Sequence, residues 1–392
     1  MATMEHIIFL AREIGPRGST TAEEKKAARY AAKVLAGLGL EPEVGSFSSA
    51  RSGWHPFALF SGLTLIALAF FLVGGRIGSL VAPALAAVSV ASVLLELSFF
   101  SNPLRWILPR AESQNVSARI PARAETRRKV VLVGHLDTHR TPIVFSSHTW
   151  LRVFRTLIPL GLLASIVLLA IFAAGVVFEN GLWRLSALVP GLLLVGVFAV
   201  SLQADLTPFT HGANDNASGA GIVLSLAEDL AAEPLRETDV WVVLSGCEEV
   251  GCYGADAFLR NHKEDLSGAF WLTLDSVGAE GTTPCYLTKE TFLLTTNSDP
   301  GLLEIADTVA TEQPDLKARP HQFRGAYTEG AIGGKHGLRV LTFLATRPSG
   351  AVPNWHRTTD VLERLDEKAL VRCESFVKEI LARIDAPQND IA

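Results

Sequence analysis

Four stretches of the chain, residues 57–74, 77–95, 156–178 and 185–202, contain no charged residue, and each runs about 18 residues or more, roughly what one bilayer crossing requires. They come in two pairs. Gly75-Arg76 separates the first two and Glu179-Asn180-Gly181-Leu182-Trp183-Arg184 the second two, so each pair reads as a helical hairpin. A soluble alternative, two buried hairpins serving as a lid or a dimerisation element, fits less well, because uncharged stretches of this length rarely suit a soluble core. Pro83, Pro159 and Pro190 are compatible with membrane helices, where neighbours satisfy the freed carbonyls, and Glu96 ends its span within reach of the interface.

An even number of crossings in each pair puts everything outside the hairpins on one face of the membrane. The short turns carry one arginine each, Arg76 and Arg184, whereas the other flanks carry Arg51, Arg105, Arg110, Arg152 and Arg155. The positive-inside tendency therefore predicts that the bulk of the chain is cytoplasmic. Trp54, Trp106, Trp150 and Trp183 stand near the span ends, as interfacial aromatics do. The first ten residues show no basic segment followed by a long apolar run, so no secretory signal is expected. The sequons Asn115-Val116-Ser117 and Asn216-Ala217-Ser218 would be idle in that compartment. A formal charge of −5 argues against a nucleic-acid partner, which would require a cationic surplus. Four cysteines without a CxxC pair are too few to staple the chain, so a reducing compartment is the simpler expectation. A transporter would place polar or broken helices at mid-membrane, and these spans hold little ionisable content.

The polar remainder reads as a single α/β domain, discontinuous over 1–55, 101–150 and 203–392, with hairpins at 56–100 and 151–202. Thr21-Ala22-Glu23-Glu24 is a capping box opening an amphipathic helix that ends near Gly37 to Gly39. Residues 115–120 alternate and residues 129–134 form a β-branched run, an outer and an inner strand. After the second hairpin the pattern gives a helix over about 217–230, a strand over 239–245, a helix from near Gly254 and a strand over 269–274. A buried strand over 339–344 and a closing helix over 366–384 follow. Helices interleaved with buried strands predict an α/β sandwich, a mixed sheet between helical layers.

In such sheets ligands bind beyond the carboxyl ends of the strands, and this chain carries acids and histidines there. The first inner strand delivers His135-Leu136-Asp137, a spacing in which the imidazole can hold a metal while the carboxylate orients it. Asp215 lies in the glycine-bracketed turn Gly212-Ala213-Asn214-Asp215-Asn216-Ala217-Ser218-Gly219, where by itself it would read as a helix cap. The strand 239–245 runs into Gly246-Cys247-Glu248-Glu249-Val250-Gly251. Adjacent side chains point in different directions, so one carboxylate can ligate a cation while the other faces the attacking water, the division that metal-assisted hydrolysis needs. Asp275 ends the strand 269–274, and His356 lies in Pro353-Asn354-Trp355-His356-Arg357. Mixed nitrogen and oxygen donors suit zinc, although cobalt or manganese could bind the same set.

With these residues in this order, the chain resembles the co-catalytic dizinc aminopeptidase family typified by bacterial leucyl aminopeptidase and aminopeptidase Y. Its pattern is HxD, a bridging Asp in a GANDNASG-like turn, Glu-Glu, Asp or Glu, and a late His. The resemblance implies a zinc-exopeptidase fold of the phosphorylase/hydrolase-like kind, here with two inserted transmembrane hairpins. It implies two zinc ions, one held by His135, Asp215 and Asp275 and the other by Asp215, Glu249 and His356, with Asp215 as the bridge. It further implies Glu248 as general base and acid, Asp137 as a residue behind His135, and a cis peptide at Asp215-Asn216. The related carboxypeptidase and dipeptidase family orders its ligands similarly but inserts a lid or dimerisation domain between the last two, for which the stretch from Asp275 to His356 leaves no room.

Two departures stand out. His211 occupies a place where the family often has Pro, and the second hairpin is inserted between the HxD strand and the Asp215 turn. The family's substrate-side loop resembles Ala326-Tyr327-Thr328-Glu329-Gly330, with Glu329 where Asp is common; Tyr327 reads either as a donor to the tetrahedral oxyanion or as an ordinary loop tyrosine. His6, His55, His139, His148, His262, His321 and His336 have no such constellation and read as surface or packing residues, as do the cysteines. The expected function is a membrane-anchored zinc aminopeptidase acting on small peptides. The alternatives are another reaction of the same site (carboxypeptidase, amidohydrolase or glutaminyl cyclase) and a non-catalytic membrane scaffold. Substrate preference and oligomeric state are open at this level.

Overall fold

A computed structural model gives the structure, which describes residues 2–178 and 181–386. The chain divides into two compact units, Met1–Arg51 with Ala111–His139 and Phe209–Ala392, and Ser52–Arg110 with Arg140–Pro208.

The first unit begins with α1 (Ala2–Ile8) and α2 (Ala22–Gly37). Thr21 caps α2, its Oγ1 accepting from Glu24 N at 3.3 Å, and Glu24 reaches back to the Thr20 amide at 2.7 Å. The box therefore closes one residue upstream of its usual partner. Then come β1 (Glu43–Ala50), β2 (Arg110–Ile120) and β3 (Arg128–His135), followed by α8 (Gly219–Ala232), β4 (Thr238–Ser245), α9 (Tyr253–Asn261) and β5 (Phe270–Leu274). Here α3 to α7 belong to the second unit. The chain closes with β6 (Thr283–Thr291), β7 (Thr295–Asn297), α10 (Pro300–Glu312), β8 (Arg319–Arg324), α11 (Glu329–Lys335), β9 (Arg339–Thr346) and α12 (Glu367–Asp385).

The sheet order is β1-β2-β4-β3-β5-β9-β6-β7, with β8 paired to β6. Its centre, β4-β3-β5-β9, is parallel, and both flanks are antiparallel, β2 on β4 and β6 on β9. Val130 to Val133 are fully buried, as expected for a parallel strand covered on both faces. The crossover from β3 to β4 runs one way across the sheet, and that from β4 to β5 runs back past β3 to its other side. A crevice opens at such a switch point, beyond the carboxyl ends of the strands. The mixed sheet with helical layers is the architecture the sequence patterns indicate, and each inner strand falls within two residues of its expected place.

The second unit contains α3 (His55–Val73), α4 (Gly75–Leu97), α5 (His148–Ala174), α6 (Gly181–Ser186) and α7 (Leu188–Asp205). By length and composition His55–Val73, Gly75–Leu97, His148–Ala174 and Gly181–Asp205 could each cross a membrane. Small and hydroxyl side chains let the helices approach. Thr64 and Ser89 hydroxyls meet at 2.8 Å between α3 and α4, and a Cβ on Gly191 of α7 would stand 2.4 Å from Leu68 of α3. Large apolar side chains such as Ile66, Phe70, Leu80, Leu163 and Leu192 remain exposed. Glu96 pairs with Arg105 and accepts from Asn102. Two boundaries differ from expectation. α5 starts at His148 because Ser147 caps it, accepting from Trp150 N at 3.2 Å. The fourth segment starts early and breaks at Ala187, which puts Pro190 in the first turn of α7, where a missing N–H costs no helical bond. Glu179 and Asn180 of the expected second turn lie outside the described residues, and Gly181 to Arg184 are helical.

Candidate metal centre

His135 is the last residue of β3, paired with Ser245 at the end of β4. Its Nδ1 lies 3.1 Å from the Asp137 carbonyl oxygen. A carbonyl can only accept, so Nδ1 carries a proton, and in the neutral imidazole that a metal would need Nε2 is the lone pair. That lone pair faces acceptors alone: Asp215 Oδ1 at 3.4 Å, and Asp275 Oδ1 and Glu248 Oε2 at 4.0 Å. Asp215 turns its other oxygen toward His356, with Oδ2 3.3 Å from His356 Nε2, and Glu249 Oε2 lies 3.3 Å from the same nitrogen. Asp215 thus spans two groups of donors, one with His135 and Asp275 and one with Glu249 and His356.

Convergent acceptors repel unless a cation sits among them. His135 Nε2, Asp275 Oδ1 and Glu249 Oε1 are buried without a hydrogen-bond partner, and His135, Asp215 and Asp275 bring one ligand atom each within 4.8 Å of one another. These are donors of the type and number that zinc takes. The ionisation of the site points the same way. Burial would discharge the His135 imidazole, yet without a metal Asp137 and Asp215 hold its pKa well above the ordinary value, so that a proton takes the place a cation would fill. Burial likewise opposes charge on Asp215, but contacts with His135 and His356 keep its carboxyl low. Asp275 is pushed up to about 7, by burial first and by the Asp215 charge second. Burial also raises Glu248 and Glu249 well above the usual carboxylate range. Positive charge is what this crowd of carboxylates lacks.

The loops that deliver the candidate ligands are held by other buried polar groups. Asp137 is more than a residue behind His135. Its Oδ1 accepts from Glu248 N at 3.0 Å, and its Oδ2 accepts from Glu249 N at 3.1 Å and from Ser19 Oγ at 2.6 Å. Asp360 does the same for the bridging turn, accepting from Asn214 N at 2.8 Å and Asp215 N at 3.0 Å. Asn216 joins that turn to the end of β5, donating to Leu274 O and accepting from Ser276 N. The Asp215-Asn216 peptide is cis, as the family resemblance implied. Glu24 carries its capping carboxylate on to Ser113 Oγ and to Cys247 N, 2.9 Å away, fixing the loop that precedes Glu248. Fully buried Arg17 donates to the carbonyls of Leu10, Gly15, Leu136, His211 and Gly212; burial lowers its pKa to about 10, which leaves it charged at neutral pH. The His211 departure is absorbed here, through its carbonyl on Arg17 and its Nδ1 3.2 Å from Ala11 O.

Sequence reasoning did not single out Arg17, Ser19 or Asp360 and saw Glu24 only as a cap. It set His139 aside as surface or packing, but the His139 ring lies on His356 with centroids 3.6 Å apart. Cys252, also read as packing, has its Sγ 3.4 Å from Glu248 Oε1. Tyr327 packs edge-on against Phe292, and Glu329 is buried, accepting from Ser245 Oγ at 2.6 Å.

A family model described as peptidase family M28 matches residues 198–381. Among solved structures the chain is similar to BSAP, a zinc aminopeptidase from Bacillus subtilis, at 15% identity and a TM-score of 0.60, covering 99% of this chain and 95% of that one. A glutaminyl cyclase from Tannerella forsythia is similar at 15% identity and a TM-score of 0.58, covering 97% and 96%. A leucine aminopeptidase precursor from Bacteroides thetaiotaomicron follows at 15% and 0.55, covering 97% and 95%. A comparison with curated proteins finds no match.

Proposed function

We propose that the chain, whose residues 198–381 match a model of peptidase family M28, is a membrane-anchored, zinc-dependent metallopeptidase of that kind, an aminopeptidase removing N-terminal residues from small peptides. The convergence of lone pairs on both sides of Asp215 carries this reading. In it, His135, Asp215 and Asp275 hold one zinc ion and Asp215, Glu249 and His356 the other. The two ions, when bound, supply Lewis acidity toward a peptide carbonyl and toward water.

The remaining steps fall to side chains. Glu248 is the carboxylate left to move protons, taking one from the attacking water and returning it to the leaving amine. Burial raises its pKa, with Glu249, Glu329 and Asp275 adding to the effect and His135 opposing it. Asp137 keeps Glu248 and Glu249 in register by holding both amides. In this reading the discontinuous first unit is the peptidase domain and the second is its anchor. The exposed apolar side chains of α3, α4, α5 and α7 support contact with lipid, and the distribution of arginines supports a cytoplasmic peptidase domain.

The similarity to solved glutaminyl cyclases favours one second reading, in which the same site acts on an N-terminal glutamine. One experiment separates the two. Purified full-length protein should contain about two transition-metal ions per chain and release the first residue of an unblocked peptide but not of its N-acetylated form. Chelation should abolish release, and zinc should restore it. A cyclised product from a glutamine-initial peptide, without hydrolysis of the others, would replace the aminopeptidase reading. Full activity of metal-free protein would remove both.

A further inference from the structure

Of the ligands in the proposed site, His356 is placed least directly by regular structure. His135 and Asp275 stand at strand ends, and Asp215 sits in a turn bonded to Asp360. His356 lies in a loop in which both it and Asn354 adopt left-handed backbone conformations, φ 55° and 59°. Besides the polar contacts of its Nε2, the rings that pack against it help to set its plane. Two rings do so. Trp355 approaches at 4.4 Å with a 38° tilt, whereas His139 lies flat, 3.6 Å away with 13° between the planes.

We propose that His139 is a positioning residue of this centre, a plate that fixes the plane of His356 so that its Nε2 stays aimed at Asp215 and Glu249. The inference rests on the metal-site reading above. Its backbone makes His139 a rigid support. The preceding residue, Thr138, donates from its amide to Arg17 O at 3.1 Å and accepts from Arg17 N through its side-chain Oγ1 at 3.0 Å, and Thr210 N donates to His139 O at 2.9 Å. The same short segment that presents His135 to one half of the site thus presents His139 to the ligand of the other half.

His139, Glu249 and His356 also bring one ligand atom each within 4.8 Å of one another, which raises direct ligation as a rival. The stacking decides against it. In-plane lone pairs of two parallel rings do not converge; an ion about 2.0–2.1 Å from a nitrogen on each ring would lie roughly 1.8 Å outside both planes. A flat aromatic face is the property the geometry uses.

The test is zinc titration of metal-stripped full-length protein by calorimetry, together with the visible spectrum of the cobalt-loaded form. His139→Ala should weaken one of two binding events about 10- to 100-fold, the usual effect of removing a ligand-orienting partner. It should also change the cobalt spectrum and leave the other binding event intact. His139→Phe keeps the flat face without the nitrogens and should restore both affinity and spectrum. The proposal fails if His139→Ala binds as the wild type does, or if His139→Phe is as defective as His139→Ala, since the nitrogen would then be what matters. Should His139→Ala not fold, His139→Phe alone decides: wild-type binding supports the plate and weakened binding overturns it. A wild-type protein that takes up no metal would instead overturn the parent reading, and the plate with it.

Discussion

Glu248 and Glu249 are identical side chains on consecutive residues, and both of their amides bond to one carboxylate, that of Asp137. Their roles can differ only through direction. Glu249 points an oxygen at His356 Nε2, whereas Glu248 Oε2 lies on the His135 side and its Oε1 accepts from Cys252. Glu248→Gln should therefore keep both metals and lose roughly two to four orders of magnitude in turnover, because an amide of equal volume cannot carry the proton. Glu249→Gln removes an anionic ligand and should lower metal affinity, with partial recovery of activity on added zinc. Metal content and turnover of both variants check this, and zinc rescue of Glu248→Gln would reverse the assignment. At this scale the candidate ligands His135, Asp215, Glu249 and Asp275 were legible because they end or follow apolar strands or sit in a glycine-bracketed turn, places where a carboxylate or imidazole has few structural uses, whereas His356, in an irregular loop, stood out only by its order after the others. Asp360, Arg17 and His139 were not legible. Their work depends on approaches between distant segments, and an isolated Asp, Arg or His carries no local sign of that.

Among elements, the join between β2 and β4 depends on a buried acid. Asp239, near the start of β4, accepts from Ala122 N at 2.9 Å, Thr126 Oγ1 at 2.8 Å and the Arg119 guanidinium. Burial works against its ionisation, but these donors outweigh burial and lower its pKa. A carboxyl depressed in the folded protein contributes stability that is present above its unfolded pKa and is lost as pH falls through the folded value. Asp239→Asn should accordingly cost about 1.5–3 kcal/mol at neutral pH and shrink the loss of stability between neutral pH and about pH 3. Thermal unfolding at both ends of that range measures the difference. An unchanged acid limb would mean that other carboxyls dominate it. The parallel strands were readable because full burial writes an unbroken apolar run. β8, Arg-Pro-His-Gln-Phe-Arg, was not, since among the described residues it pairs with β6 alone and carries Pro320 among mostly polar residues.

For the whole molecule, the hairpins were legible from length and lack of charge, while helix ends set by Ser147 and by the break at Ala187 were not. The topological expectation is open to direct measurement because all four native cysteines are buried. An impermeant thiol reagent applied to intact cells should label Arg76→Cys or Arg184→Cys and spare Glu367→Cys. The opposite pattern would place the peptidase domain outside the cell and leave its chemistry as proposed.

The hydrogen bond from Thr210 N to His139 O closes the two ends of the second insertion within the first unit. A detour whose entrance and exit already touch can be bypassed by a short splice, since little chain entropy separates the spliced from the unspliced unit. The pairing of β1 beside β2 offers a similar junction for the first insertion. Replacing 52–109 and 140–208 with brief glycine-serine linkers should therefore yield a water-soluble enzyme that retains its metals, obtainable without detergent. An aggregated or metal-free product would show that the second unit serves as a scaffold on which the first must assemble.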